Sequence, residues 1–343
     1  MKILIDAFGG DNAPLEIIKG CAICLTKYEG VELALVGNEE IIKKTAQDNN
    51  ISLEGLEIFH APDVISMEED AGEIMKSKSE SSMAVGLKLL AQGKGDAFLS
   101  AGNSGALITG STLIVKRIKG VRRPAFAPIM PSSKGPVLLI DSGANVEVSA
   151  VMLQQFGIMG SIYMENVLRV KSPRVALANV GTEDHKGGPL QHEAFALLKE
   201  TNINFIGNME ARDIPAGATD VIVADGFVGN TILKMYEGVA KELIGKMKGM
   251  FLKNLKTKLA ALLLKKELRE LKKYFDYNQY GAAPIMGVSK PVLKTHGSAK
   301  ADAVVTAVKS AIDCVNNDVA GKIANQIAQL KTKQEGKDQN EGA

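Results

Sequence analysis

The sequence predicts an α/β protein built on a mostly parallel sheet, and three observations carry the prediction. Short apolar runs alternate with stretches of helical periodicity, the order that lays helices on both faces of a parallel sheet. Seven apolar runs end abruptly in Gly, Asn, Asp or Ser, at Asp6–Asp11, Gly37–Asn38, Gly102–Gly105, Asp141–Asn145, Gly181–Gly188, Gly207–Asp213 and Asp225–Asn230. Open parallel sheets take ligands at the carboxyl ends of their strands, so these loops imply one shared crevice. Finally, 343 residues can bury a large core. One elaborated α/β unit over residues 1–330 is the expected organisation, with a basic amphipathic hairpin inserted at 241–275 and a disordered polar tail at 331–343.

In chain order, residues 2–8 read as the first strand and Asp6 to Pro14 as its loop. Gly9 and Gly10 lie there between Asp6 and Asp11, two carboxylates that either orient the loop or enter the chemistry. A helix at Leu15–Tyr28, a strand near Val31–Val36, a helix from Asn38 to about Asp48 and a strand at Leu56–His60 continue the alternation. Residues 63–82 are polar and charged, and read either as a mobile cover over the crevice or as a solvated helical excursion. A helix over Ser82–Gln92 leads into the central strand, Ala97–Leu99, and its loop. There Gly102 and Gly105 allow a tight turn, Asn103 and Ser104 add polar groups, and Ser104 is placed to cap the next helix. N–H groups at a helix start attract a phosphate or an oxyanion.

Prolines punctuate Arg122–Pro131, which excludes a continuous central strand there. A buried strand from Pro136 ends in Asp141-Ser-Gly-Ala-Asn145. The helix Val148–Arg169 carries Met152, Phe156, Met159, Tyr163 and Val167 at helical spacing, the pattern of a core or dimer face. A strand at Arg174–Val180 ends in the loop Gly181–Gly188, where His185 and Lys186 bring two possible cations between glycines, suited to an anion or a polarised carbonyl. Strands at Ile203–Gly207 and Val221–Ala224 precede a helix from Gly226 with Asn230 near its start. Near the end, His296 precedes Gly297 and a cap at Ser298, and a final helix runs to about Leu330.

The formal charge of +2 and a hydrophobic fraction of 45% exclude a pervasively basic nucleic-acid binder. That average hides an asymmetry. Residues 241–273 carry eleven Lys or Arg and three Glu, a net of +8 that leaves −6 for the rest. Phe251, Leu255, Leu259 and Leu262 form one apolar stripe; Leu264, Leu268, Leu271 and Phe275 form a second, opposite Lys265, Lys266, Arg269, Lys272 and Lys273. Such a face lies on an anionic membrane, packs on an acidic partner, or folds back on its own domain. Cys21 and Cys24 sit within an apolar helical stripe rather than at a helix start, so they read as core; with Cys314 they imply a reducing compartment. No signal-peptide pattern or membrane span is seen, and no metal-ligand spacing, which leads to the expectation of a cytoplasmic protein without metal or cofactor. Gly102-Asn-Ser104-Gly-Ala lacks a nucleophile elbow. The strand ends offer amides, hydroxyls, carboxylates and a few cations, an inventory for positioning an external nucleophile.

Asp6-Ala-Phe-Gly-Gly-Asp11, Ser100-Ala-Gly-Asn-Ser-Gly105, Asp141-Ser-Gly-Ala-Asn-Val146, Asn179-Val-Gly-Thr-Glu183 and Tyr280–Gly287 together resemble the bacterial phosphate acyltransferase family, in order and over about residues 1–330. Phe8 stands where Met is usual and Ser104 where Thr is common; neither removes a functional group. The resemblance implies an α/β/α sandwich similar to phosphotransacetylases and isocitrate-type dehydrogenases, and a homodimer. The implied activity is transfer of a long-chain acyl group from acyl carrier protein to inorganic phosphate. It implies peripheral membrane contact through the basic hairpin and a following glycerol-3-phosphate acyltransferase as a possible partner. On the side chains, Gly102–Ser104 with Lys186 would hold phosphate, while His185, His296 or Asn230 would steady the oxyanion or protonate the leaving thiolate. A phosphotransacetylase acting on acyl-CoA and a non-catalytic membrane scaffold are the competing readings. A dehydrogenase is disfavoured because no G-x-G-x-x-G follows the first strand.

Overall fold

The computed structural model describes residues 1–274 and 280–341. Twelve strands are present among them: β1 (Lys2–Asp6), β2 (Glu32–Gly37), β3 (Leu56–His60), β4 (Ala97–Ser100), β5 (Ala125–Phe126), β6 (Ile129–Ser132), β7 (Gly135–Ile140), β8 (Val175–Ala178), β9 (Phe205–Met209), β10 (Val221–Val223), β11 (Ala283–Met286) and β12 (Val292–Lys294). The helices are α1 (Leu15–Lys27), α2 (Glu39–Asp48), α3 (Ser82–Ala91), α4 (Ser104–Gly110), α5 (Ala150–Asn166), α6 (Pro189–Lys199), α7 (Gly226–Leu252), α8 (Leu255–Leu263), α9 (Lys265–Tyr274), α10 (Ala301–Asn316) and α11 (Val319–Glu341).

The strands form two sheets. Seven strands lie in the order β3-β2-β1-β4-β12-β11-β5 and five in the order β6-β7-β10-β8-β9, each sheet parallel except for β11 and β6. The prolines of 122–131 mark the crossing. Ala125–Phe126 pairs with β11, Pro128 contributes only its carbonyl, to the Leu139 N–H, and Ile129 begins the second sheet. A residue without an N–H is suited to such an edge.

Period-two alternation sorts the core. Ile3, Ile5 and Leu99 of the first sheet and Leu138, Ile140 and Val223 of the second share one buried cluster with α1, α5 and α10. Leu4, Val36 and Phe98 face the opposite way, onto α3 and α4. Val137, Leu139 and Ile222 pack on Leu233 and Tyr236 of α7. Each such Leu, Ile or Phe contributes about 1.5–3 kcal/mol by leaving water. Cys21 and Cys24 are buried in α1, as their spacing predicted.

Three segments carry local structure that the alternation of strands and helices does not specify. Residues 63–82 are neither a free cover nor a regular helix: a short 3-10 turn at Ala71–Met75 buries Ile74, and Asn103 Nδ2 donates to the carbonyls of Ser66, Met67 and Glu69. The 241–275 region, expected as a basic amphipathic hairpin, holds three helical pieces. α7 continues to Leu252, and α8 and α9 follow it; Phe275 lies outside the described residues. The C-terminal helix breaks at Asn317–Asp318 and resumes as α11 through Glu341; Gln, Glu and Lys, frequent in its last turns, are good helix formers.

Candidate active site

Loops at the carboxyl ends of the parallel strands of both sheets meet at a cavity of about 540 Å³. Its wall includes Ser104 and Gly105 of α4, Ser142–Ala144 after β7, Asn230 of α7, and Lys294 and His296 at the end of β12. Ile108, Phe126, Pro128, Ile129, Leu233 and Ala283 give it an apolar side. Of the seven loops expected to share one crevice, those at 102–105, 141–145 and 225–230 contribute to this wall, which draws on both sheets; the loops at 6–11, 37–38, 181–188 and 207–213 do not line it.

Two buried carboxylates hold the loops in place. Asp6 accepts from the hydroxyls of Ser82 and Ser100, each at 2.6 Å, and from the Phe8 N–H at 3.1 Å. Asp141 accepts the N–H groups of Phe126 (3.0 Å), Ala144 (3.2 Å) and Asn145 (2.6 Å) and the Asn145 side-chain amide (3.0 Å). Burial pushes both carboxyls above the usual carboxylate range, and these hydrogen bonds pull the other way. Neither lines the cavity. Asn145 likewise turns inward, to the Pro124 carbonyl.

Gly9 and Gly10 bring the first loop against its neighbours. A Cβ on Gly9 would sit 2.6 Å from the Gly102 nitrogen, and one on Gly10, where φ is +94°, 2.7 Å from the Gly297 carbonyl. The Asp11 N–H donates to that same carbonyl at 2.8 Å. The helix cap is Asn103, whose Oδ1 accepts from Ala106 N at 3.0 Å, not Ser104. The Gly102 N–H is bonded to Ser100 Oγ at 3.0 Å. This leaves Ser104 and Gly105 as the cavity-facing start of the helix, with the unbonded N–H groups that every helix start carries. The α7 start approaches from the other side: a Cβ on Gly143 would lie 3.6 Å from the Asn230 side chain.

The cations divide around α7. Asn230, Leu233, Lys234 and Glu237 face the cavity, whereas Phe227, Val228, Thr231 and Ile232 line a second depression of about 470 Å³ with Asn179, Val180, Gly187 and Gly188. At 3.6 residues per turn these sets lie on opposite flanks of the helix. The loop of His185 and Lys186 belongs to the second flank, so neither residue joins Asn230 and His296 in the cavity. That loop closes on itself: Asn179 Nδ2 donates to the Lys186 carbonyl at 3.0 Å, and the His185 carbonyl meets His192 Nε2 at 2.9 Å.

His296 stands at the cavity mouth. Its Nδ1 accepts from the Ser298 N–H at 3.2 Å, and desolvation by the wall holds its pKa below the usual histidine value. The following helix is entered at Lys300, not Ser298. Lys294, which the sequence reading passed over, is the other basic group. Its Nζ donates to the carbonyls of Ala101 (3.0 Å) and Thr295 (2.6 Å), and burial brings its pKa down to about 8 against the opposing pull of Asp6 and Asp11. The available signal was a lysine closing an apolar strand, Val292-Leu-Lys294, two residues before His296-Gly297.

Comparison with known proteins agrees with this geometry. Residues 1–322 match the family described as fatty acid synthesis protein. The chain is 45% identical over 331 residues to a phosphate acyltransferase of Acetivibrio thermocellus, covering 96% of this chain and 98% of that one. It is 44% identical over 329 residues to that of Clostridium novyi, covering 96% and 99%. Among solved structures, the EutD phosphotransacetylase from Staphylococcus aureus superposes with a TM-score of 0.61 at 16% identity, covering 92% of this chain and 94% of its own. A phosphotransacetylase from Streptococcus pyogenes gives 0.62 at 16% with the same coverage. These two share the fold. With two relatives matched nearly end to end and a crevice walled in part by the motifs at 100–105, 141–146 and 280–287, the chain belongs to the phosphate acyltransferase family, and is an acyltransferase.

Proposed function

We propose that this acyltransferase moves a long-chain acyl group from the thioester of acyl carrier protein to inorganic phosphate, releasing acyl phosphate for phospholipid synthesis by a following acyltransferase that uses glycerol 3-phosphate. The observation that carries the reading is one cavity with an anion-accepting end, Ser104, Gly105, Asn230 and Lys294, and an apolar side formed by Phe126, Pro128, Ile129 and Leu233. Phosphate is already an anionic nucleophile, so the protein has chiefly to orient it against the thioester carbonyl. Good orientation lowers a barrier by roughly 7–11 kcal/mol. The Asn230 amide is the oxyanion donor in this reading, a contribution of about 2.7–4 kcal/mol. His185 and Lys186 are assigned to the anionic carrier-borne donor, on the outer flank of α7.

Purified protein incubated with palmitoyl acyl carrier protein is expected to release free thiol only when phosphate is present, and to leave an acyl phosphate trapped by hydroxylamine. Release without phosphate would point to hydrolysis or an acyl-enzyme and overturn the reading. Turnover restricted to acyl-CoA would replace the donor.

The same reading includes a homodimer and a reversible membrane contact. α7 exposes Phe227, Met235 and Val239 at spacings of eight and four, a stripe for a second copy. Beyond it Leu255 is 85% and Leu263 78% exposed, with Leu259 and Leu262 beside Lys265 and Lys266. Among the described residues no helix is long and apolar enough to cross a membrane. Each buried leucine contributes about 1.5–3 kcal/mol and each lysine near anionic lipid about 1 kcal/mol. Glutamate at Leu259, Leu262, Lys265 and Lys266 is expected to abolish co-sedimentation with phosphatidylglycerol vesicles while sparing turnover of the soluble carrier thioester. Unchanged sedimentation would remove α8 and α9 from the contact.

A further inference from the structure

Transfer from a thioester to phosphate leaves a thiolate, and some group must give it a proton. The cavity offers few. The loop of His185 and Lys186 lies on the far flank of α7. His296 uses Nδ1 as an acceptor for Ser298 N–H, and burial lowers its pKa, which disfavours the charged ring that would give the proton. Asp6 and Asp141 are spent on backbone and hydroxyl donors behind the wall.

Lys294 is arranged differently. Its ammonium has three protons, and two are committed to the carbonyls of Ala101 and Thr295 at 3.0 and 2.6 Å. The Ala101 carbonyl belongs to the loop that opens α4, and Lys294 pairs in register with Ser100 across β12 and β4. One proton remains at the cavity wall. A neutral amine still has two N–H groups for these carbonyls, so the loop keeps both partners, through weaker uncharged bonds, when that proton leaves. The groups around it are balanced: Asp6 of β1 and Asp11 of the first loop favour the charge, while Lys234 of α7 opposes it beside Glu237, to which it is paired at 2.9 Å. An ordinary thiol has a pKa near 8.5, so an ammonium titrating at about 8 is matched to the group it serves.

We propose that Lys294 is the proton donor to the departing thiolate and is recharged by the phosphate that takes the acyl group. The inference rests on the acyl-to-phosphate reading above. A hydrogenphosphate oxygen bonds to the carbonyl carbon, the carbon–sulfur bond breaks, and the sulfur takes its proton from the Lys294 ammonium. The acyl phosphate still carries the hydrogenphosphate proton and returns it to the Lys294 amine. Hydrogenphosphate dianion and thioester thus become acyl phosphate dianion and free thiol, with no other reactant.

Leaving-group dependence tests this. Palmitoyl thioesters of a small alkyl thiol and of thiophenol are each turned over with phosphate; the aryl thiolate is acidic enough to depart without help. Lys294→Met is expected to lose about 100-fold or more on the alkyl donor, the usual scale of general acid catalysis, but less than roughly 10-fold on the aryl donor. Lys294→Arg keeps the charge and the carbonyl bonds but not the exchangeable proton, so it separates chemistry from folding. Its loss should show the same bias, and the fall in wild-type rate as pH rises through about 8 should move upward out of range. Equal losses on both donors, or an unmoved alkaline limb in Lys294→Arg, would overturn the proposal and leave Lys294 a holder of the loop. Absence of phosphate-dependent turnover by the wild type is a different failure, that of the reaction itself.

Discussion

Asp141→Ala is expected to lower the melting temperature by about 5 °C or more and to remove most turnover. Both carboxylate oxygens are fully used: Oδ1 takes the N–H groups of Phe126 and Ala144, and Oδ2 takes the N–H and side-chain amide of Asn145. Deleting them strands three backbone donors in a buried position, at about 1–3 kcal/mol each before relaxation. Ser142–Ala144 and Phe126 form cavity wall, so the loop and the site fail together. Asp141→Asn does not rescue, because its NH₂ must point at two donors whichever way it is flipped. Asp6→Asn should be much milder. Among Asp6's partners are the hydroxyls of Ser82 and Ser100, which can rotate to accept a proton instead of giving one. Thermal unfolding of the three variants checks this; equal losses for Asp6→Asn and Asp141→Asn would refute the hydroxyl argument.

Gly229→Ala should be the most damaging single methyl group in the chain's second half. The added Cβ would lie 1.8 Å from the Asp141 carbonyl oxygen and 3.2 Å from the Ser142 Cα, both backbone atoms with no rotamer to yield. Overpacking of this kind costs about 1–3 kcal/mol and more where backbone must shift. The shift would carry Asn230, the next residue, away from Gly143. Turnover is expected to fall more than the melting temperature suggests, by about tenfold or more for a displacement near 1 Å. Gly238→Ala is the matched control, since nothing lies within 4 Å of a Cβ there and alanine favours the helix. Similar damage at both positions would mean that helix propensity, not the contact with Asp141, governs the outcome.

The sequence by itself determined the class of fold, the polar turns that end its strands and the family, because each is written locally. Apolar runs of strand length, glycines at turns and Asp141-Ser-Gly-Ala-Asn145 need no knowledge of what lies opposite them. Tertiary structure alone decided which polar groups share a cavity. His185 and Lys186 looked the most reactive because they sit together in a glycine-rich loop, yet helical phasing of α7 turns that loop to the far flank from Asn230. Lys294 looked ordinary because its two hydrogen-bonding partners include Ala101, which is 193 residues away in the chain. The two sheets were hidden for a related reason. Strand pairing is a long-range choice, and Ala125–Phe126 and Ile129–Ser132 are both short and proline-flanked, so only their partners, β11 and β7, assign them to different sheets.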